Sequence, residues 1–162
     1  MKTAKYNKKE NDDLILNHYR NIAKNYRDTG NSSIKDQFIR DSEVNFLIMS
    51  IQEYIDNNGN AQISILDAGC GNGFLLDKIR NKFPEVTLHG LEFTPELASL
   101  TIAKDIKNCE IIQGDLREGV PFEINFDIVI TERVIINILD YKEQKLVLKN
   151  ISNVLKENGL LL

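Results

Sequence analysis

The chain has 162 residues, 42% of them hydrophobic, and a formal net charge of -4. This length and apolar fraction suit one domain with a hydrophobic core, and the negative charge argues against a nucleic-acid partner. The apolar runs are shorter than the roughly 18 residues that a membrane helix needs, and the two cysteines lack metal-ligand spacing. The expectation is therefore a soluble, cytoplasmic protein without a metal.

The N-terminal part, residues 1–60, contains two segments in which apolar residues recur at every third or fourth position. This spacing predicts amphipathic helices over residues 14–27 and 33–56. Glycine, asparagine and serine lie between the two segments and again after the second, where they favour turns. We therefore predict a separate helical segment before the main fold.

The remainder, residues 61–162, alternates short apolar runs with helical stretches, and Gly, Pro, Asp or Asn marks each change. The pattern predicts strands and helices in alternation, with strands at 63–67, 86–92, 110–114, 126–131 and from Leu160, and helices at 73–82, 95–106 and 141–156. Apolar strands such as ISIL and FDIVI are typical of a parallel sheet with helices on both faces. We predict an α/β fold with a Rossmann-like, doubly wound, mostly parallel sheet, incomplete after the start of strand five.

The most specific motif is ILDAGCGNGFLL, which leads from the first predicted strand into a helix. Gly69, Gly71 and Gly73 allow a tight turn and a close backbone approach to a ligand at the helix N-terminus. A dinucleotide fingerprint requires glycine where Phe74 stands, which opposes a nicotinamide-dependent oxidoreductase. Asp67 would repel a pyrophosphate but attract a ligand with an ammonium and a sulfonium. The motif therefore favours S-adenosylmethionine.

Acidic residues also follow the second and third predicted strands. Glu92 stands nineteen residues after the last glycine of the turn, where an acid can accept hydrogen bonds from both ribose hydroxyls. Asp115 can accept from the exocyclic adenine amine, with Leu116 beside the ring. The alternatives are a solvated charge at Glu92, an ordinary Gly-Asp turn at Asp115 and a hydrogen bond within the loop at Asp67.

The successive motifs DAGCGNG, Glu92, GDLRE and FDIVITERVIINILD resemble those of class I S-adenosylmethionine-dependent methyltransferases, over roughly residues 62–162. The resemblance implies seven strands, the last two antiparallel, and methyl transfer to a small-molecule acceptor. Enzymes that methylate base amines carry Asn or Asp, Pro-Pro and an aromatic residue where this chain has ITERVIIN. Because the sequence stops at Leu162, a longer chain or a partner chain is expected to complete the sheet.

The upstream segment HYRNIAKNY resembles the N-terminal helix of small-molecule methyltransferases, which forms a lid with aromatic residues over the cofactor. Tyr19 and Tyr26 are the lid candidates, and ordinary helix packing is their alternative. Arg40 can pair with the methionine carboxylate of the cofactor, or with Glu43 in a helix ion pair. The complete set predicted to bind the cofactor is Asp67, Gly69, Cys70, Gly71, Gly73, Phe74, Glu92, Phe93, Asp115, Leu116, Glu132, Tyr19, Tyr26 and Arg40.

The sequence identifies no definite catalytic base. Transfer from a sulfonium depends mainly on orientation and desolvation, but a hydroxyl or ammonium acceptor must lose a proton. Glu132 and Arg133 stand after the fourth predicted strand, near Asn137, and a polar rim is their alternative role. His18 is a further candidate. A non-catalytic module that binds the cofactor or a partner is another possible function.

Overall fold

The computed structural model describes residues 7–26, 36–59 and 62–162. Two helices come first, α1 (Lys8–Tyr26) and α2 (Gln37–Asn58). Asp36 caps α2, because its carboxylate accepts hydrogen bonds from the amides of Phe38 and Ile39. Both predicted helices are present, and α1 begins six residues earlier than predicted, while residues 27 and 33–35 lie outside the described ranges.

Five parallel strands follow in the order β3-β2-β1-β4-β5. The strands are β1 (Ser64–Ala68), β2 (Thr87–Glu92), β3 (Cys109–Gln113), β4 (Phe126–Ile130) and β5 (Leu155–Leu161). The connecting helices are α3 (Phe74–Lys82), α4 (Pro95–Ala103) and α5 (Tyr141–Val154), with a short 3₁₀ helix (Ile135–Asn137) before α5. The predicted Rossmann-like α/β fold is confirmed, and the bounds of β1–β4, α3 and α4 agree with the prediction within three residues.

Apolar clusters cover both faces of the sheet. Every residue of β1 and β4 is buried, as expected for central strands between two helical layers. On one face α2 contributes Leu47 and Ile51 to the core, and on the other face α5 contributes Val147 and Ile151. Within the described ranges no helix has the length and apolar character needed to cross a membrane.

The prediction for the last strand was wrong in its starting point. The chain leaves α5 at Val154 and pairs at once, through Leu155, with Phe126 of β4. Pairing then shifts and resumes between Leu160 and Ile128, so the polar residues between the two contacts form an irregular bulge. The predicted start at Leu160 is therefore only the second contact, because the polar stretch hides the first from a pattern of apolar residues.

Candidate functional site

A cavity of about 280 Å³ lies at the carboxyl ends of the strands. The strand order reverses between β1 and β4, and the crevice at such a switch point is where open α/β sheets bind ligands. The wall is formed by the turn after β1, the ends of β2 and β3, the segment after β4, and one side of α1.

The three glycines of the turn after β1 have positive φ angles of 110° at Gly69, 56° at Gly71 and 75° at Gly73. A Cβ at Gly69 would lie 2.2 Å from Cγ2 of Val134, and one at Gly73 would lie 2.6 Å from Cγ2 of Thr101. A Cβ at Gly71 would meet no atom within 4 Å, and this residue lines the cavity. Two glycines therefore permit close packing, while the third leaves room for a ligand.

Asp67 lies near the carboxyl end of β1, lines the cavity and is only 3% exposed. None of the described residues donates a hydrogen bond to its carboxylate. Burial raises the pKa of Asp67 to about 8, and the nearby carboxylates of Glu132 and Glu92 add to the effect. Burial also raises the pKa of the Cys70 thiol beside it. A buried acid in this environment is stabilised as an anion only when a cation is close.

Glu92, at the end of β2, holds the glycine turn in place. Its Oε2 accepts a 2.9 Å hydrogen bond from the Gly71 amide, and its Oε1 accepts a 2.7 Å bond from the Thr94 amide. Burial raises the pKa of Glu92, and the two amide donors partly offset that rise. Glu92 also lines the cavity, and a carboxylate oxygen can accept more than one hydrogen bond, so the same group can orient the turn and accept hydrogen bonds from a ligand.

A family model described as a methyltransferase domain matches residues 60–162, which include the sheet and the acidic residues at its edge. The chain belongs to this family. The predicted resemblance to the methyltransferases is thereby confirmed, and the fold is that of a methyltransferase whose structure contains bound S-adenosylmethionine.

Three relatives illustrate the similarity. Malonyl-[acyl-carrier protein] O-methyltransferase of Bacillus anthracis is 26% identical over 106 residues, covering 65% of this chain and 38% of that protein. The structure of CalS10, an amino pentose methyltransferase from Micromonospora echinaspora, has a TM-score of 0.62 at 23% identity and covers 74% of this chain and 49% of its own. That of the plantazolicin methyltransferase BpumL has a TM-score of 0.65 at 20% identity and covers 91% and 56%. The chain thus spans 38% to 56% of these proteins.

In this methyltransferase domain, Arg117 donates hydrogen bonds to Asp115, the carboxylate predicted to accept from the adenine amine. Nη2 of Arg117 donates a 2.6 Å hydrogen bond to Oδ2 of Asp115, and Nε donates a 3.0 Å bond to Oδ1. The guanidinium also lies 5.4 Å from the ring centre of Phe93, which lines the cavity with Leu116. Sequence reasoning missed Arg117, although its place two residues after Asp115 is a local signal for such a pair.

The segment after β4 contacts α2 through an ion pair. Arg133 forms ion pairs with Glu43 of α2 and with Glu132, whose Oε1 lies 3.4 Å from Nη2. Burial raises the pKa of Glu132, while Arg133 lowers it and Glu43 raises it further. The structure therefore pairs Glu43 with Arg133, where the sequence suggested Arg40 as the partner.

The lid candidates on α1 differ in position. Tyr19 lines the cavity, its hydroxyl accepts a 3.1 Å hydrogen bond from Nδ2 of Asn137, and burial raises its pKa. Tyr26 is the last residue of α1, and its side chain lies outside the described part of the molecule. The His18 side chain is exposed and stands outside the set of described residues that form the wall. Of these three, the structure places Tyr19 at the cavity.

Within the described part of the molecule, Arg40 contacts the site through an aromatic neighbour. Its guanidinium lies 5.5 Å from the ring centre of Phe74, and Nε lies 3.5 Å from the Asp41 carboxylate. Phe74 lines the cavity, whereas Arg40 is outside the described lining residues. Among the described residues, Arg40 therefore contacts a wall residue and does not itself line the cavity.

Proposed function

We propose that this chain holds S-adenosylmethionine in the cavity at the ends of β1 and β2, and that the protein methylates a small-molecule acceptor. The observation that carries the proposal is the buried carboxylate of Asp67 beside a glycine turn, with no hydrogen-bond donor among the described residues. A ligand with an ammonium and a sulfonium would stabilise the anionic form of that group. A diphosphate would instead bring like charges together within a low-dielectric site.

In this proposal, the other wall residues each contact a different part of the ligand. Glu92 accepts from the ribose hydroxyls while its amide bonds keep the turn in place. Leu116 and Phe93 enclose the adenine, and Asp115 faces the adenine amine. Tyr19 covers the cavity from α1. Bound S-adenosylmethionine supplies an electrophilic methyl group, and the chain contributes orientation and exclusion of water.

Glu132 is the residue we propose for proton transfer when the acceptor is a hydroxyl or an ammonium. It lines the cavity after β4, and burial raises its pKa toward the range in which a carboxylate is an effective base. Its neighbour Arg133 provides a positive charge beside it. The relatives are named for malonyl-acyl-carrier-protein, amino pentose and plantazolicin acceptors. These names support a small-molecule acceptor, and screening would identify which one.

Calorimetric titration tests the cofactor assignment directly. We expect micromolar binding of S-adenosylmethionine and of S-adenosylhomocysteine, and no binding of NADH at the same concentrations. Absence of heat and of a thermal shift with both sulfur nucleosides, in a folded sample, would reject the proposal. Tight NADH binding would favour the oxidoreductase instead.

A transfer assay then separates an enzyme from a binding module. The full-length protein is incubated with S-adenosylmethionine and with hydroxyl, carboxyl and amine acceptors. Methylated products are then detected by mass spectrometry. Cofactor binding without transfer to any acceptor would favour the non-catalytic module.

The cytoplasmic location and a partner chain at β5 stay predictions.

A further inference from the structure

Arg117 joins three separate parts of the molecule. Beyond its bonds to Asp115, its Nη1 and Nη2 donate 2.8 Å and 3.1 Å hydrogen bonds to the two carboxylate oxygens of Asp12 in α1. Nη1 also donates a 3.2 Å bond to Glu143 in the first turn of α5. The Arg117 side chain is 10% exposed and that of Asp12 is 20% exposed, so solvent screens this cluster less than a surface ion pair.

The rest of α1 attaches to the molecule through half-buried apolar side chains, Ile15, Leu16 and Ile22, and through polar contacts. Of its side chains in the described part, Ala23 alone is buried. Lys8 forms an ion pair with Glu143 at 3.1 Å, and Arg20 forms one with Glu96 at 2.8 Å. The side chains of that last pair are 42% and 41% exposed, so this pair contributes little. Because Ala23 is the one buried side chain of α1 in the described part, its less exposed polar contacts should contribute to holding the helix on the cavity.

The same helix closes one side of the ligand cavity. Asp12, Ile15 and Tyr19 all line it from α1, and Arg117 lines it from the loop after β3. The guanidinium that binds Asp12 also binds Asp115, the carboxylate that faces the adenine in the proposed function. One side chain therefore contacts both the lid helix and the adenine end of the cavity.

We propose that Arg117 is a positioning residue that couples closure of α1 over the cavity to the orientation of the Asp115 carboxylate. Release of the bound nucleoside then requires the Arg117–Asp12 pair to break. The identity of the ligand in this inference rests on the proposed function, but the link between Arg117 and α1 does not. Only a guanidinium supplies the planar set of five donors that can engage both carboxylates together, whereas a lysine acts as a point charge.

Asp12→Asn isolates the lid contact from the rest of the cluster. The variant keeps the size of the side chain, and it leaves Arg117 bound to Asp115 and Glu143, so the core retains its interactions. Glu96→Gln is the matched control, because it removes an exposed ion pair between the same helix and α4. Asp12→Glu is the conservative variant, and we expect it to restore most of the wild-type behaviour since it keeps the charge.

The first measurement uses hydrogen exchange of the ligand-free protein, followed by mass spectrometry of peptides from α1. Loss of a charge-assisted bidentate pair should accelerate exchange in residues 8–20 about five- to tenfold in Asp12→Asn, and less than about twofold in Glu96→Gln. The second measurement is the dissociation rate of S-adenosylhomocysteine by stopped flow. We expect a similar five- to tenfold increase in Asp12→Asn, reversed in Asp12→Glu.

Two results would overturn the coupling. One is unchanged exchange in α1 of Asp12→Asn, even if its melting temperature falls, because the pair would then have only a general structural role. The other is faster exchange in α1 without faster dissociation of a ligand that binds wild-type protein. If wild-type protein binds no S-adenosylhomocysteine, the proposed function fails, and exchange in α1 alone decides whether Arg117 holds the helix.

Discussion

Two walls of the cavity are formed by different kinds of structure. The wall at β1 and β2 consists of buried strand ends, a glycine turn and backbone amides bound by Glu92. The wall formed by α1 is held by half-buried apolar side chains, side-chain ion pairs and one tyrosine hydroxyl. Moving the first wall would disrupt the sheet, whereas moving the second breaks a few partly exposed contacts. The molecule thus combines a cradle built on the buried strand ends with a cover that is less deeply buried.

Each wall is organised by one charged residue, and the two residues work in opposite ways. Glu92 accepts hydrogen bonds from the main chain at Gly71 and Thr94, so it fixes the glycine turn to the end of β2. Arg117 donates hydrogen bonds to side chains from α1, α5 and its own loop. Damage to the cradle should therefore affect folding or binding strongly, and damage to the lid should mainly affect rates.

The largest effect is expected from Gly69→Ala in the cradle. The new Cβ would overlap Cγ2 of Val134 at 2.2 Å, and φ at this residue is 110°, which side chains rarely adopt. We expect a loss of about 3 kcal/mol in the free energy of unfolding, measured by urea titration. The matched variant Gly71→Ala meets no atom within 4 Å and has φ 56°, so it should cost only about 1 kcal/mol while weakening ligand binding. Equal losses of stability would contradict this difference.

Asp67→Asn should weaken binding of S-adenosylmethionine about 30-fold, which corresponds to about 2 kcal/mol for a charged hydrogen-bonding group. The amide is nearly isosteric but cannot stabilise a cation by charge. Asp77→Asn is the control, because Asp77 lies on α3 with 43% exposure and pairs with Lys104 away from the cavity. Calorimetry that gives the same affinity for Asp67→Asn and wild type would remove the electrostatic basis of the assignment.

The raised pKa of Asp67 predicts release of a proton when the cofactor binds. In the ligand-free domain its pKa is about 8, so at pH 7 the carboxyl is mainly protonated, and a bound cation should favour its ionisation. Calorimetry at pH 7 in buffers of different ionisation enthalpy should show release approaching one proton in wild type. Asp67→Asn should release less, and equal release by both proteins would assign the proton elsewhere.

The same pKa sets the sign of a pH effect on stability without ligand. A carboxyl with a pKa of about 8 when folded holds a proton that the unfolded chain has lost above about pH 4. The free energy of unfolding should therefore fall as pH rises from about 4 through about 8 in wild type. Comparison with Asp67→Asn by thermal unfolding isolates this contribution, since the asparagine does not titrate.

The smallest effect is expected from Tyr19→Phe in the lid. The ring that covers the cavity is kept, and only the hydroxyl that accepts a 3.1 Å hydrogen bond from Asn137 is lost. A net contribution of about 0.5–1 kcal/mol predicts a two- to fivefold faster dissociation of S-adenosylhomocysteine. A larger change than in Asp12→Asn would show that the tyrosine, rather than the ion pair, retains α1.

The cradle was predictable because its signals are local. Glycine at three alternate positions, an acid before them and acids after two further strands lie within short segments whose strand and helix character the apolar pattern reveals. Phe74 opposed a dinucleotide site for an equally local reason, since the fingerprint is defined by spacing along the chain. Parallel order then brings these segments to one edge of the sheet.

The amino-acid sequence by itself thus determined the α/β fold, the methyltransferase family and which residues stand at the ends of β1 and β2. Only the tertiary structure decided which polar side chains meet across long distances in the chain: Arg117 with Asp12, Arg133 with Glu43, and Asn137 with Tyr19. These partners are 90 to 118 residues apart, so no periodicity links them. Their pairing depends on how helices pack on the sheet, which is why the contacts that hold the predicted lid helix became visible only in three dimensions.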